Sequence, residues 1–130
     1  MSSDTPISTQ AQVVLIDDDP HLRQALSQTL DLAGLKVASL GDARDLAARL
    51  PADWQGVVVS DIRMPGIDGP ALHAWVAANR PDLLPRLAFA TGDTLGAVAA
   101  NFLAKVDRPV LEKPFTPEAV GAFLRRVEGG

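Results

Sequence analysis

Acidic, hydroxyl and ammonium side chains recur in this chain directly after short apolar runs. Asp17, Asp18 and Asp19 follow Val13-Val14-Leu15-Ile16, and Asp61 follows Val57-Val58-Val59-Ser60. Thr91 follows Leu87–Ala90, and Lys113-Pro114 follows the run at 109–111. Carboxylates gathered in one cleft repel each other unless something positive joins them. A hard divalent cation answers that need with oxygen ligands and retained waters, and carboxylate oxygens favour Mg²⁺, with Mn²⁺ as the alternative. Beside such an ion an aspartate can stay ionised and attack phosphorus. Phosphoryl transfer asks a protein chiefly for positioning and charge stabilisation. Lys113 would neutralise one phosphoryl oxygen and Thr91 would donate a hydrogen bond to another.

Taken singly, each residue has an ordinary explanation. An Asp after a strand is usually a turn or helix-cap residue, which covers Asp17, Asp18, Asp19 and Asp61. Thr91 before Gly92 can simply end a strand, and Lys113 can be a solvated surface lysine. The ordinary explanation fails for the set, because fitting residue types close four separate runs in order.

The elements that must position these groups alternate. Val13–Ile16 reads as a strand covered on both faces. A helix follows from about Pro20 to Ala33, with Pro in its first turn and Gly34 just past its end. Leu35–Leu40 reads as a second strand, and Asp42 caps a helix to Leu50. Val57–Ser60 is a third strand, the loop 61–69 carries Pro65, Gly66 and Gly69, and Pro70–Asn79 is helical. Leu87–Ala90, a helix at about Thr94–Ala104, a short strand at Pro109–Leu111 and a helix capped by Thr116 complete the order. Alternating β and α units predict a five-stranded parallel sheet, doubly wound as (βα)5 in a flavodoxin-like α/β/α sandwich, with function at the carboxyl ends of the strands.

Composition narrows the class. The chain has 130 residues, a formal net charge of -4 and no cysteine. Length suits one domain. Disulfides, thiolate catalysis and cysteine-ligated zinc are excluded. An acidic chain without a basic stripe is a poor direct binder of nucleic acid or anionic membranes. No apolar run approaches the roughly 20 residues that span a bilayer. The polar opening lacks a signal-peptide pattern, so the expected location is cytoplasmic. Residues 1–11 read as a flexible tail, 12–128 as the domain and 129–130 as a fraying end.

The motifs together resemble the receiver domain of two-component response regulators, over about Val13 to Val127. Val14–Pro20 resembles the family's acidic opening, and Val58–Gly69 its phosphorylation loop. Ala90-Thr91-Gly92 resembles the switch-threonine strand end, and Glu112-Lys113-Pro114-Phe115 the lysine motif. The resemblance implies Asp61 as phospho-acceptor and Asp18 as direct metal ligand, with Asp17 ligating through water. It also implies the backbone carbonyl of Arg63 as a further ligand, Thr91 and Lys113 as phosphoryl contacts, and a cis bond before Pro114. Asp19 and Asp93 would tune phosphoryl lifetime, with Arg63 able to pair with Asp93. The implied donor is the phosphohistidine of a sensor or hybrid histidine kinase, and the implied reader is an output domain or partner protein. Such a domain is a regulatory phospho-acceptor that catalyses only its own phosphorylation and dephosphorylation.

One departure stands out. Many receivers carry an aromatic residue three positions before the motif lysine, and here that position is Val110. A paired threonine–aromatic switch therefore cannot operate as such. His21 reads as a helix-surface residue, Trp54 and Trp75 as peripheral packing, and Arg125 and Arg126 as helix-dipole complements. Two rivals remain open. A haloacid-dehalogenase-type phosphohydrolase would use Asp17 and Asp19 as its Asp-x-Asp pair, but lacks the later acidic pair. A degenerate interaction module would bind no Mg²⁺. The parent architecture is open as well: a stand-alone receiver, a transcriptional regulator or a hybrid kinase.

Overall fold

The computed structural model describes residues 7, 10–41, 46, 50–51, 54–61, 69–91, 110–112 and 116–129. Strands β1 (Val13–Ile16), β2 (Val37–Leu40), β3 (Val57–Asp61), β4 (Leu87–Thr91) and β5 (Val110–Glu112) form one parallel sheet in the order β2-β1-β3-β4-β5. This is the doubly wound order whose direction of growth reverses beside β1. Helices α1 (Pro20–Leu32), α2 (Gly69–Asn79) and α3 (Pro117–Gly129) pack on it. The expected helices at 42–50 and 94–104 lie largely or wholly outside the described residues.

Side-chain alternation explains why both faces must be covered. Successive strand residues point to opposite faces. Val14, Ile16, Val58, Leu87 and Phe89 enter one buried cluster with Leu72 and Val76 of α2. Val13, Leu15, Val57, Val59, Ala88 and Ala90 enter the other, with Leu26 and Leu30 of α1 and Val120, Phe123 and Leu124 of α3. Each fully buried Leu or Val contributes about 1.5–3 kcal/mol. Continuous apolar runs such as Val13–Ile16 thus reflect two cores, one on each side of a single sheet.

The ends of α1 follow from local chemistry. Asp19 is its N-cap, with extended φ and ψ, and its Oδ1 accepts the amides of His21 (3.0 Å) and Leu22 (3.3 Å). Pro20 supplies the first turn, where its missing N–H is harmless. At the other end Gly34 adopts φ 93°, the left-handed conformation that glycine reaches freely. Its amide donates to Asp31 O (3.0 Å) and that of Leu35 to Leu30 O (3.1 Å), a Schellman termination. Leu35 is therefore part of the helix stop, and β2 begins at Val37 rather than at the expected Leu35. At the last helix, the amide of Ala119 donates to Thr116 Oγ1 at 3.1 Å, as the expected cap requires.

Several expectations are corrected. The packed core reaches below residue 12: Ile7 is 3% exposed and Ala11 is buried with it. Helix α3 runs through Gly129, past the expected domain end. Trp54 is a core residue, not peripheral: it is 2% exposed and its Nε1 donates to Ala11 O at 2.8 Å. Pro81–Arg86 forms a 3-10 helix where the sequence pattern predicts no element, anchored by buried Leu83.

The amino ends of the strands are held by a set of polar fasteners. Gln12 N donates to Lys36 O (2.7 Å) and Val57 N to Gln12 O (2.9 Å). Arg86 Nη1 donates to Gln55 O at 2.6 Å. Arg80 clamps Leu50 O and Pro51 O, both at 3.1 Å, and pairs with Asp82. Gly56 sits inside this set: a Cβ there would lie 2.5 Å from Gln12 O and overlap the Trp54 ring. Gly56→Ala is expected to destabilise the fold by about 1–3 kcal/mol in urea unfolding, the usual scale of overpacking. The Arg80 hydrogen bonds hold the Asp82 carboxyl below its ordinary 3.8. A lowered acid contributes stability above its unfolded pKa and loses it as pH falls through the folded value. The stability difference between wild type and Asp82→Asn is therefore expected to be small, under about 1 kcal/mol for so exposed a pair. It should be constant at neutral pH and fade as the pH falls below 3.8 through the lowered folded value.

Candidate functional site

The carboxyl edge of the sheet collects the acidic groups. Between β1 and β3 the register pairs Val13 with Val57 and Ile16 with Ser60. Continuing that register by one residue sets Asp17 beside Asp61, at the same height on neighbouring strands. Asp17, Asp18 and Asp61 present carboxylate oxygens that all lie within 4.8 Å of one another. Asp17 is buried at 1% exposure, Asp61 is half-buried and Asp18 is exposed. The three thus grade from sheet interior to solvent.

Local hydrogen bonds shape the loop that carries two of them. Asp17 N donates to Leu40 O at 3.1 Å, which extends the β1–β2 ladder by one rung. Asp17 Oδ1 accepts the amide of Asp19 at 2.9 Å. Arg23 Nη1 donates to Asp17 O at 2.8 Å. Asp19 itself is turned to the helix as its cap and is not a member of the trio. That separates the structure from the Asp-x-Asp pairing of Asp17 with Asp19 that the phosphohydrolase reading needs. The trio instead joins Asp17 and Asp18 to Asp61.

The other expected site residues fall differently. The main chain of Thr91 is the last position of β4, paired with Glu112 at the end of β5. It stands one rung beyond Asp61, which pairs with Ala90. Lys113 follows Glu112 directly in sequence. Lys113, Pro114 with its expected cis bond, Arg63, Asp93 and the Thr91 and Val110 side chains lie outside the described residues. His21 is exposed at the start of α1, and Trp75 is partly buried against the core. Arg23 is a contact that the motifs do not single out. Its one signal in the sequence is a cation closing the first turn of a helix, where the macrodipole disfavours it.

The donor set suits a hard cation. Three carboxylates offer only anionic oxygen, the ligand type that Mg²⁺ takes. Charges about 5 Å apart repel by about 3 kcal/mol at an effective dielectric constant of about 20, so each pair favours an intervening cation.

Comparison with known proteins places this arrangement. Residues 13–125 match the response regulator receiver domain family. The chain is 54% identical over 126 residues to the C4-dicarboxylate transport transcriptional regulatory protein DctD of Pseudomonas aeruginosa, covering 97% of this chain and 27% of that protein. It is 36% identical over 118 residues to the transcriptional regulatory protein FixJ of Bradyrhizobium diazoefficiens, covering 91% of this chain and 57% of that one. The chain therefore spans about a quarter of the DctD regulator and just over half of FixJ. Among solved structures, the Vibrio cholerae chemotaxis protein CheY4 superposes with a TM-score of 0.65 at 31% identity, covering 91% of this chain and 98% of that one. The receiver domain of a sensor histidine kinase from Pseudomonas aeruginosa PAO1, described with a magnesium ion coordinated in its active-site cleft, shares the fold. Its TM-score is 0.73 at 21% identity, covering 92% of this chain and 98% of that one. The chain belongs to the response regulator receiver domain family of two-component signalling.

Proposed function

We propose that this receiver accepts a phosphoryl group on Asp61 and relays the resulting change of charge to an output domain or partner protein. The observation that carries the reading is the trio Asp17, Asp18 and Asp61 within 4.8 Å, where the register sets β1 and β3 side by side. In the proposed step a carboxylate oxygen of Asp61 forms a bond to phosphorus. The phosphorus–nitrogen bond of a histidine kinase's phosphohistidine breaks, and the released imidazole takes up a proton. Asp18, Asp61 and the backbone carbonyl of Arg63, with Asp17 acting through water or from the second rank of contacts, would hold Mg²⁺ or, in its place, Mn²⁺. When bound, the cation neutralises the carboxylates and the charge on the phosphoryl oxygens. Lys113 and Thr91 are assigned the remaining phosphoryl oxygens. Support for Thr91 comes from its main-chain place at the end of β4, one rung beyond Asp61.

The switch would be electrostatic. A phosphoryl group carries about 1.5–2 negative charges and replaces the single charge of the Asp61 carboxylate, so the edge gains up to about one charge beside Asp17 and Asp18. The groups assigned to answer that charge are Thr91, the last residue of β4, and Lys113, which follows β5 in sequence. Asp19 and Asp93, flanking the site, are proposed to set phosphoryl lifetime, with Asp19 working from its fixed position as the cap of α1. The domain then acts as a regulatory phospho-acceptor rather than an enzyme on other substrates. Its proposed setting is the cytoplasm; no helix among the described residues is long and apolar enough to cross a membrane. With a net charge of -4, this chain is not proposed to contact nucleic acid directly.

Two experiments test the reading. With acetyl phosphate and Mg²⁺, intact mass is expected to show one phosphoryl adduct on wild type, lost with EDTA and absent in Asp61→Asn. An adduct that persists in Asp61→Asn would move the acceptor elsewhere. Asp18→Asn is expected to weaken Mg²⁺ binding by about tenfold or more, roughly 1.4 kcal/mol, in a calorimetric titration. Unchanged affinity in that variant would remove Asp18 from the metal site.

A further inference from the structure

Asp17 is fastened through every main-chain polar group it has. Its amide donates to Leu40 O and its carbonyl accepts Arg23 Nη1 at 2.8 Å. The side chain adds the Oδ1 bond from Asp19 N at 2.9 Å. Two of these three ties come from the loop or its neighbouring strand. The third comes from a long side chain on α1, one turn into the helix, whose own amide is bonded back to Asp19 O at 2.9 Å. Arg23 therefore spans the loop from its far side and closes it against the sheet.

The space for that guanidinium is made by Gly41, the residue directly after β2. A Cβ at Gly41 would lie 2.8 Å from Arg23 Nη1, 3.6 Å from Cζ and 3.8 Å from Nη2. The conflict is with the tip of a flexible side chain, not with backbone. An alanine there can be accommodated by moving the guanidinium, with little effect on the fold. What moves is the donor to Asp17 O. Arg23 and Gly41 thus form one device reached from two separate positions in the sequence.

We propose that Arg23, seated over Gly41, is a positioning residue that holds the Asp17–Asp18 loop at the height of Asp61 and so sets the affinity of the acidic site for its cation. The inference rests on the reading of that site as a metal site. An outer partner that orients a ligand in this way is worth about 10–100-fold in metal affinity where it has been measured. Electrostatics alone predicts the opposite sign: Arg23 brings a positive charge near three carboxylates, so its removal would tighten cation binding. The sign of the effect separates the two.

The test uses the full chain, with Mg²⁺ as the probe, in NMR titrations of wild type, Arg23→Ala, Arg23→Lys, Gly41→Ala and the double variant Arg23→Ala/Gly41→Ala. Arg23→Ala is expected to weaken Mg²⁺ binding by about tenfold. Gly41→Ala should weaken it in the same direction with the charge retained. The double variant should be no worse than Arg23→Ala, because both changes remove one contact. Arg23→Lys, which keeps one donor, should fall between wild type and Arg23→Ala. In metal-free samples the amides of Asp17 and Asp19 should exchange faster in Arg23→Ala and in Gly41→Ala while those of Val58 and Val59 do not. Binding that is unchanged or tighter in Arg23→Ala or in Gly41→Ala overturns the proposal, as does additivity in the double variant. A wild-type chain that binds no Mg²⁺ overturns the metal-site reading itself, and this inference with it.

Discussion

Carboxylate repulsion at the carboxyl edge is the constraint to which the rest of the molecule answers. Three oxygen sites within 4.8 Å would spread if the chain let them. Nothing in the carboxylates themselves keeps them together. They stay because each is attached to an element whose position is decided elsewhere, by two apolar cores. Asp61 is the last residue of β3, with Val57 to Val59 buried at its back. Asp17 follows β1, whose four residues are all buried. Burial of these strands, at about 1.5–3 kcal/mol per large side chain, outweighs the repulsion at their tips. The site is thus a crowded acidic edge on a buried support, and a cation bound there would relieve the repulsion.

Register does the rest. In a parallel sheet a slip of one residue would send every inward side chain to the opposite face. Here both faces are apolar, so alternation alone would specify register weakly. Shape takes over that role: Phe89 and Leu87 fill the face covered by α2, whereas the small Ala88 and Ala90 lie under α1 and α3. Exchanging those sets would crowd one face and hollow the other. The same register that satisfies packing brings residue 17 level with residue 61. Function is thereby encoded in a packing decision made within each strand, below the residues that carry the chemistry.

Much of this is legible in the chain itself. Unbroken β-branched runs followed by Asp announce strands and their functional ends, and Asp19-Pro20 with Gly34 mark both limits of α1. What escapes notice depends on tertiary contact. Leu35 looks like strand but completes a helix stop, because the Schellman bond to Leu30 competes with the ladder. Trp54 and Ile7 sit in polar, turn-rich surroundings in sequence, and only the fold shows that they close the base of a core. Pro81 and Pro85 punctuate a stretch that still winds as a 3-10 turn, since fixed φ values suit it and Leu83 gains burial. Arg23 and Gly41 are eighteen residues apart by number, 41 less 23, and carry no motif. Their relation exists only because β2 lies beside β1.

The two ends of the sheet differ in kind, and in the proposed switch that difference would let the charged edge change while the base stays fixed. At the amino ends, Gln12, Lys36, Trp54, Arg80 and Arg86 tie main chain to main chain across strands and across a helix terminus. The Trp54 bond is buried and the Arg80 bond part-buried, where an unmet hydrogen bond costs about 1–3 kcal/mol. At the carboxyl ends, the ties to Asp17 come from Leu40, Asp19 and Arg23 and set the place of charged groups that oppose one another. With Val rather than an aromatic at position 110, no ring is present there to report the change. In the proposed switch the change would instead pass along the main chain beyond Thr91 and Glu112, where β4 and β5 end.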